Sequence, residues 1–258
     1  MSSDGRPRIL AVVPARYAST RFPGKIIVPL AGKPLVLHAY DRARQATLVD
    51  DTVIAADDSI VMDALAPYGA HCVMTRADHA TGTDRIAEVA ELFPDADLIV
   101  NVQGDEALID PATIDAAIRP LLEQPDVVMA TARHRLTDPE RIADPNVVKV
   151  ICDTHGHALY FSRSPIPFIR DAADQAAAAT TYWQHVGLYV YRRAFLLDYA
   201  RMAQTPLECL EKLEQLRVLE NGHKIAVVDT EYMGIGVDVP EDLERVKTLL
   251  AAAGKEHA

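Results

Sequence analysis

Four short apolar runs, each followed within a few residues by an amphipathic stretch, constrain the fold of this chain more than anything else in it. The runs are 9–13 (ILAVV), 52–56 (TVIAA), 71–75 (HCVMT) and 98–102 (LIVNV). Helical patterns follow at about 35–46, 60–68, 83–92 and 111–123, the last opening on Pro111, which is tolerated in a first turn. Near-continuous Val, Ile and Ala in strands that alternate with helices predict a parallel sheet covered on both faces. On such sheets a ligand lies beyond the carboxyl ends of the strands. Pro14, Asp57, Arg76 and the segment Gln103 to Asp105 are therefore expected to face one crevice.

The second half of the chain reads differently. Strand-like runs at 127–131, 147–152, 159–162 and 186–192 follow one another, and the first helical pattern among them comes only at about 194–202. Consecutive strands without helices predict antiparallel pieces, a smaller lobe that closes over the crevice or pairs with another subunit. A helix over 206–220, a strand over 224–229 and a closing helix over 240–253 complete the reading. The alanine-rich stretch 171–181 (DAADQAAAATT) lacks apolar anchors and reads as a mobile loop, with a short surface helix equally allowed by alanine's propensity.

With 258 residues, 49% of them hydrophobic, the chain can bury a large α/β core. A net charge of −11 argues against nucleic acid as the main partner, because no broad basic surface is available to displace counterions. Three widely spaced cysteines, Cys72, Cys152 and Cys209, fit a reducing compartment better than a disulfide framework or a structural zinc site. The opening residues MSSDGRPR lack a signal-peptide core and no stretch approaches ~18 apolar residues, so a soluble cytoplasmic protein without a membrane partner is expected.

Against that acidic background, residues 14–25 (PARYASTRFPGK) concentrate Arg16, Arg21 and Lys25 in a Gly-containing loop directly after a buried strand. Backbone N–H groups and fixed positive charge meet there, as a polyphosphate requires, although a solvated basic loop has the same composition. The spacing matches neither GxxxxGK[ST] nor GxGxxG, so it indicates a nucleotide or sugar phosphate without choosing. A second signal is VQGDE at 102–106. Asp105, at the mouth of a parallel strand, is placed either to hold a metal that bridges phosphate oxygens or to make a turn before the next helix. A third is GIGVDVPED at 234–242, a helix-start signature in which Asp238 can complete an oxygen-rich magnesium site with Asp105.

Taken in order, PARYASTRFPGK, GKPLVLHAY, TRADHATGTDR, NVQGDEALI, ADPNVVKV, LYFSRSPIP, HVGLYVYRR, LECLEKLEQLRVLENGHKI and GIGVDVPEDLERV resemble the 3-deoxy-manno-octulosonate cytidylyltransferases, from about Arg8 to Leu250. The resemblance implies an enzyme that joins CTP to the eight-carbon acid sugar 3-deoxy-D-manno-octulosonate (Kdo), giving CMP-Kdo and diphosphate for lipopolysaccharide assembly. It implies a requirement for Mg2+, a homodimer, and a Rossmann-like, mostly parallel sheet of the nucleotide-diphospho-sugar transferase type with a smaller antiparallel lobe. The expected layout is a single domain over 8–252, with a nucleotide-binding half at about 8–125 and a sugar-binding and dimerisation half at about 126–252. A cytidylyltransferase for another sugar acid is the neighbouring alternative. An A-type glycosyltransferase is a more distant one, since that class shares the sheet but usually shows a DxD-type triad where this chain has QGDE.

On that reading, Lys25, Arg16 and Arg21 hold the triphosphate, and Lys25, Asp105 and Asp238 form the catalytic set, the two aspartates as magnesium ligands. Pro14 and Ala15 through their backbone, with Arg76 and Gln103, adjoin the cytosine, the alternative for Arg76 being a surface salt bridge with Asp78. The TGTDR run at 81–85 either lies against the nucleotide or caps the following helix. For the sugar, Arg163 is the candidate cation for its carboxylate. His185 is a hydroxyl donor or a satisfied structural histidine. Glu211 and Gln215, four apart on the expected 206–220 helix, share one face, which is either solvated or directed at a polyol.

Overall fold

The computed structural model describes residues 5–18, 22–79, 81–171 and 181–256. The chain forms two compact units, one running to Asp115 and resuming at Gly234, the other spanning Ala116–Met233. The sequence places a division near residue 125 and assigns everything after it to the second half. In the structure the last stretch, from Gly234 on, returns to the first unit.

The first unit is built on four parallel strands, β1 (Ile9–Ala15), and then, past a two-residue hairpin of β2 (Pro29–Leu30) and β3 (Lys33–Pro34), β4 (Asp51–Ala56), β5 (Cys72–Met74) and β6 (Leu98–Asn101). Their order is β6-β1-β4-β5, with Val12 beside both Val53 and Asn101. Nearly every residue of β1, β4 and β6 is buried, as strands covered on both faces must be. Helices α1 (Leu35–Gln45), α2 (Ser59–Leu65) and α3 (Gly82–Leu92) make the crossovers, and α4 (Pro111–Glu123) leads into the second unit. The start of α4 is pinned because Asp115 accepts from Thr47 N, Thr47 Oγ1 and Leu48 N at 2.8–2.9 Å.

The second unit contains β7 (Val127–Arg135), β8 (Lys149–Cys152), β9 (Ala158–Ser162), β10 (Trp183–Arg192) and β11 (Lys224–Thr230). β7 pairs antiparallel with β10, and β8 pairs antiparallel with both β9 and β10. β11 pairs parallel with β7. A short helix α5 (Pro139–Ala143), capped by Asp138, interrupts the strand series where none is expected from sequence. It is followed by α6 (Arg193–Tyr199), α7 (Pro206–Glu211) and α8 (Gln215–Glu220).

The expected single helix over 206–220 is therefore broken. Lys212 adopts φ 54°, ψ 46°, the left-handed conformation that ends a helix, and α7 and α8 lie on either side of it. The two short helices stay together through Glu208, which accepts from Arg217 Nε at 2.7 Å and also from its Nη2. That hydrogen-bonded partner raises the Arg217 pKa despite burial.

The chain ends in α9 (Pro240–Glu256). Val237, Leu243 and Val246 pack with Leu30, Leu35 and Ala107 in one buried cluster of the first unit. That burial brings a C-terminal segment to the mouth of β1. Among the described residues, no helix is long and apolar enough to cross a membrane. Residues 172–180, most of the alanine-rich stretch, lie outside the described residues, and so does the loop or helix reading of it.

Candidate active site

Lys25 opens a short 3-10 turn (Lys25–Ile27) on the loop that leaves β1. Its ammonium donates to Asp105 Oδ2 at 2.6 Å, Val237 O at 2.9 Å and Asp238 Oδ1 at 3.0 Å. Three segments far apart in sequence meet on one nitrogen. The register is fixed by main-chain bonds, Val237 N to Asp105 O at 3.1 Å, and by Asp242 Oδ2, which accepts from Asp238 N at 2.9 Å and Val239 N at 3.1 Å. Burial pushes the Lys25 pKa down, but Asp105 and Asp238 outweigh it, and the net shift is upward. The group is an ammonium at any working pH.

A cleft of about 400 Å3 opens over this cluster, lined by Pro14, Arg16, Lys25, Gln103, Asp105 and Asp238 among others. Of the strand ends singled out by sequence, Pro14 and the segment Gln103 to Asp105 line it, whereas Asp57 is turned inward onto Arg85 and does not. Arg16 is exposed at the cleft, whereas Ala15 is fully buried beside Ala56 and is not among the lining residues. Gln103 Nε2 donates to Asn101 Oδ1 at 3.3 Å. Gly82, which opens α3, also lines the cleft, while Thr81 and Asp84 form a reciprocal capping box. Arg21 lies outside the described residues. Arg76 is not among the lining residues. Its Nε donates to Asp78 Oδ1 at 3.1 Å, with the two side chains 69% and 78% exposed, the surface pair that its sequence position allowed.

Gly104 explains how closely β1 and the loop after β6 approach each other. A Cβ placed on it would lie 2.5 Å from Pro14 O, 3.1 Å from Ile26 Cδ1 and 3.4 Å from Val36 Cγ2. The first neighbour is backbone and cannot swing aside. Gly104→Ala is therefore expected to lower stability by about 1–3 kcal/mol and to displace Asp105 from Lys25. Urea denaturation alongside a turnover assay checks it. A variant with the parent's midpoint and turnover would show that the approach is not needed.

The four sugar candidates belong to the second unit. Arg163 sends its donors to main-chain carbonyls, Nε to Glu211 O at 2.7 Å, Nη1 to Pro145 O at 3.0 Å and Nη2 to Lys212 O at 3.5 Å. Two of those oxygens are freed by the helix break at Lys212. Glu211 accepts from Ser162 Oγ at 2.6 Å and Arg163 N at 2.9 Å. Because the helix ends between them, Glu211 and Gln215 do not share one helical face, and the four-residue spacing argument is corrected. Gln215 is 3% exposed, and among the described residues its Nε2 has no hydrogen-bond partner. Lys149, fully buried, donates to Asp144 O, Val147 O and Arg163 O at 2.6–2.9 Å and so ties the 144–147 turn to residue 163. Sequence reasoning missed it, because a lysine in a strand gives no sign that three carbonyls surround it.

His185 has the environment of a satisfied interior histidine. Thr131 Oγ1 donates to Leu188 O at 2.7 Å, so the same oxygen accepts from His185 Nε2 at 2.9 Å. Phe161 packs edge-on against the ring at 5.0 Å. Burial pushes its pKa down to about 3. Since the unfolded value is about 6.5, the unfolded chain binds a proton between these limits that the folded chain does not. Stability is then complete above pH ~6.5 and falls as pH drops toward 3, by about 1.4 kcal/mol per unit from this group. His185→Gln should remove that component, so its stability between pH 6.5 and 5 should decline by about 2 kcal/mol less than the parent's. Equal slopes in chemical denaturation would contradict the assignment.

Residues 10–225 match the cytidylyltransferase family. The chain is 56% identical over 246 residues to a 3-deoxy-manno-octulosonate cytidylyltransferase of Solibacter usitatus, covering 95% of this chain and 96% of that protein. It is 54% identical over 245 residues to the enzyme of the same name from Pelobacter propionicus, covering 93% and 96%. Among solved structures, a CMP:2-keto-3-deoxy-manno-octonic acid synthetase complexed with CTP superimposes with a TM-score of 0.89 at 39% identity, covering 95% of this chain and 99% of that one.

Proposed function

Because the chain belongs to the 3-deoxy-manno-octulosonate cytidylyltransferase family, we propose that its first-unit cleft joins CTP to Kdo, releasing diphosphate and supplying CMP-Kdo for lipopolysaccharide assembly. The observation that carries the reading is the meeting of Lys25, Asp105 and Asp238 at the strand ends, with Arg16 on the same cleft. The anomeric hydroxyl oxygen of Kdo attacks the α-phosphorus, the bond from that phosphorus to the bridging oxygen of the departing diphosphate breaks, and the hydroxyl proton passes to solvent. Transfers of this kind are catalysed by alignment and by balancing charge on phosphoryl oxygens. Arg16 and Lys25 supply fixed positive charge where the diphosphate departs.

Two carboxylates suit magnesium, which takes one or two protein carboxylates and completes its shell with phosphate oxygens and water. Asp105 and Asp238 offer such a pair, both reached by one lysine nitrogen. When bound, the ion supplies Lewis-acid charge that lowers the pKa of an attacking hydroxyl. Arg163, Glu211 and Gln215 are the proposed contacts to the sugar. The working protein in this account is a cytoplasmic homodimer.

Diphosphate release from CTP, followed with magnesium and a panel of sugar acids, tests the proposal. Release with Kdo at least tenfold faster than with an acid sugar of different length is the expected result. A preference for another acid moves the chain to that substrate. No release with any of them removes the activity.

A further inference from the structure

The guanidinium of Arg85 has no exposed surface, and the proposed chemistry does not use it. Nη1 donates to Thr75 Oγ1 and to Arg76 O, the latter at 3.1 Å, and Nη2 donates to Asp57 Oδ2 at 3.2 Å. Asp57, just past the end of β4, is itself only 7% exposed. Its second oxygen, Oδ1, accepts from the main-chain N–H of Tyr17 at 2.8 Å. The carbonyl of Tyr17 in turn accepts from Gly24 N at 3.1 Å. Gly24 has φ 68°, a conformation natural to glycine, and a Cβ there would meet the Tyr17 ring at 3.4 Å.

These bonds form one line, from Arg85 through Asp57 to Tyr17 and Gly24. Residue 17 follows Arg16 and residue 24 precedes Lys25, so the carboxylate holds one end of the basic loop directly and the other only through the Tyr17 carbonyl. We infer that Asp57 is a positioning residue for the phosphate-holding loop, accepting the Tyr17 N–H with one oxygen while Arg85 holds the other. A buried arginine without its carboxylate, or a buried carboxylate without its arginine, would be an uncompensated charge, so the two must be replaced together. The pair thus ties the loop's position to a main-chain bond at the Tyr17 N–H. The inference rests on the proposed CTP reading of this cleft.

Two double variants isolate the bond to Tyr17. Asp57→Asn with Arg85→Met removes both buried charges and keeps an oxygen facing Tyr17. Asp57→Ala with Arg85→Met removes the charges and the oxygen. Calorimetric titration with magnesium and CTP is the readout, with steady-state kinetics beside it. The Asn double variant is expected to bind CTP within about threefold of the parent. The Ala double variant should bind tenfold or more weakly and raise the KM for CTP by a similar factor, with kcat at saturation changed less than about threefold. Equal CTP affinity in the two variants overturns the inference, as does a tenfold loss in the Asn variant. If the Ala variant does not fold, the Asn variant alone decides by the same threshold. A parent that binds no CTP would refute the CTP reading itself and is distinguishable from either result.

Discussion

Asp105→Asn is expected to lower turnover by about 10²-fold or more while the protein melts close to the parent temperature. The amide keeps the size of the carboxylate and an oxygen for Lys25, whose ammonium lies 2.6 Å from Asp105 Oδ2. What it loses is the formal charge that places a cation against phosphate oxygens. Asp105 is partly exposed at the cleft, so the change leaves no charge stranded in the core. Stopped assays with saturating CTP and Kdo, together with a thermal melt, measure both halves. Turnover within a few-fold of the parent would take Asp105 out of the proposed metal shell.

Lys25→Ala should also collapse turnover, by about 10²-fold, with CTP affinity reduced less than about tenfold. The diphosphate gains charge as it departs, so an ammonium held beside it strengthens its interaction in the transition state more than in the ground state. The geometry adds a structural consequence. Lys25 is 13% exposed and compensates two carboxylates at once, and without it Asp105 and Asp238 face each other with no shared cation. Magnesium should therefore recover part of the thermal stability that the variant loses. Equal losses in CTP affinity and in kcat/KM, with kcat preserved, would reduce Lys25 to a ground-state contact.

How far the molecule could be read from its sequence depended on which signals are local. β1, β4 and β6 are continuous apolar runs and α4 opens on proline, so their positions agree with expectation to within one or two residues. Lys25, Asp105 and Asp238 each stand in a short Gly-containing segment at a strand or helix end, a local signal, and the structure brings the three side chains together. The helix break at Lys212 was not visible. PLECLEKLEQLRVLE has good helix formers throughout, and the turn is favoured by bonds from Arg163, far away in sequence, to Glu211 O and Lys212 O. The Asp57–Arg85 pairing was hidden for the opposite reason. The strand-end position of Asp57 predicts a residue facing the crevice, Arg85 looks like an ordinary surface charge, and only the fold buries them against each other. The one available hint was Arg85 on the apolar phase of α3, next to the fully buried Ile86 and Val89.

The most direct test of the central claim follows an oxygen atom. Kdo labelled with 18O at its anomeric hydroxyl is incubated with CTP, magnesium and the protein, and the products are separated by mass. Attack by that hydroxyl on the α-phosphorus places the label in CMP-Kdo, in the oxygen that bridges sugar and phosphorus, and leaves the diphosphate unlabelled. Diphosphate formed with no CMP-Kdo, or unlabelled CMP-Kdo formed while the remaining Kdo keeps its label, would contradict the account.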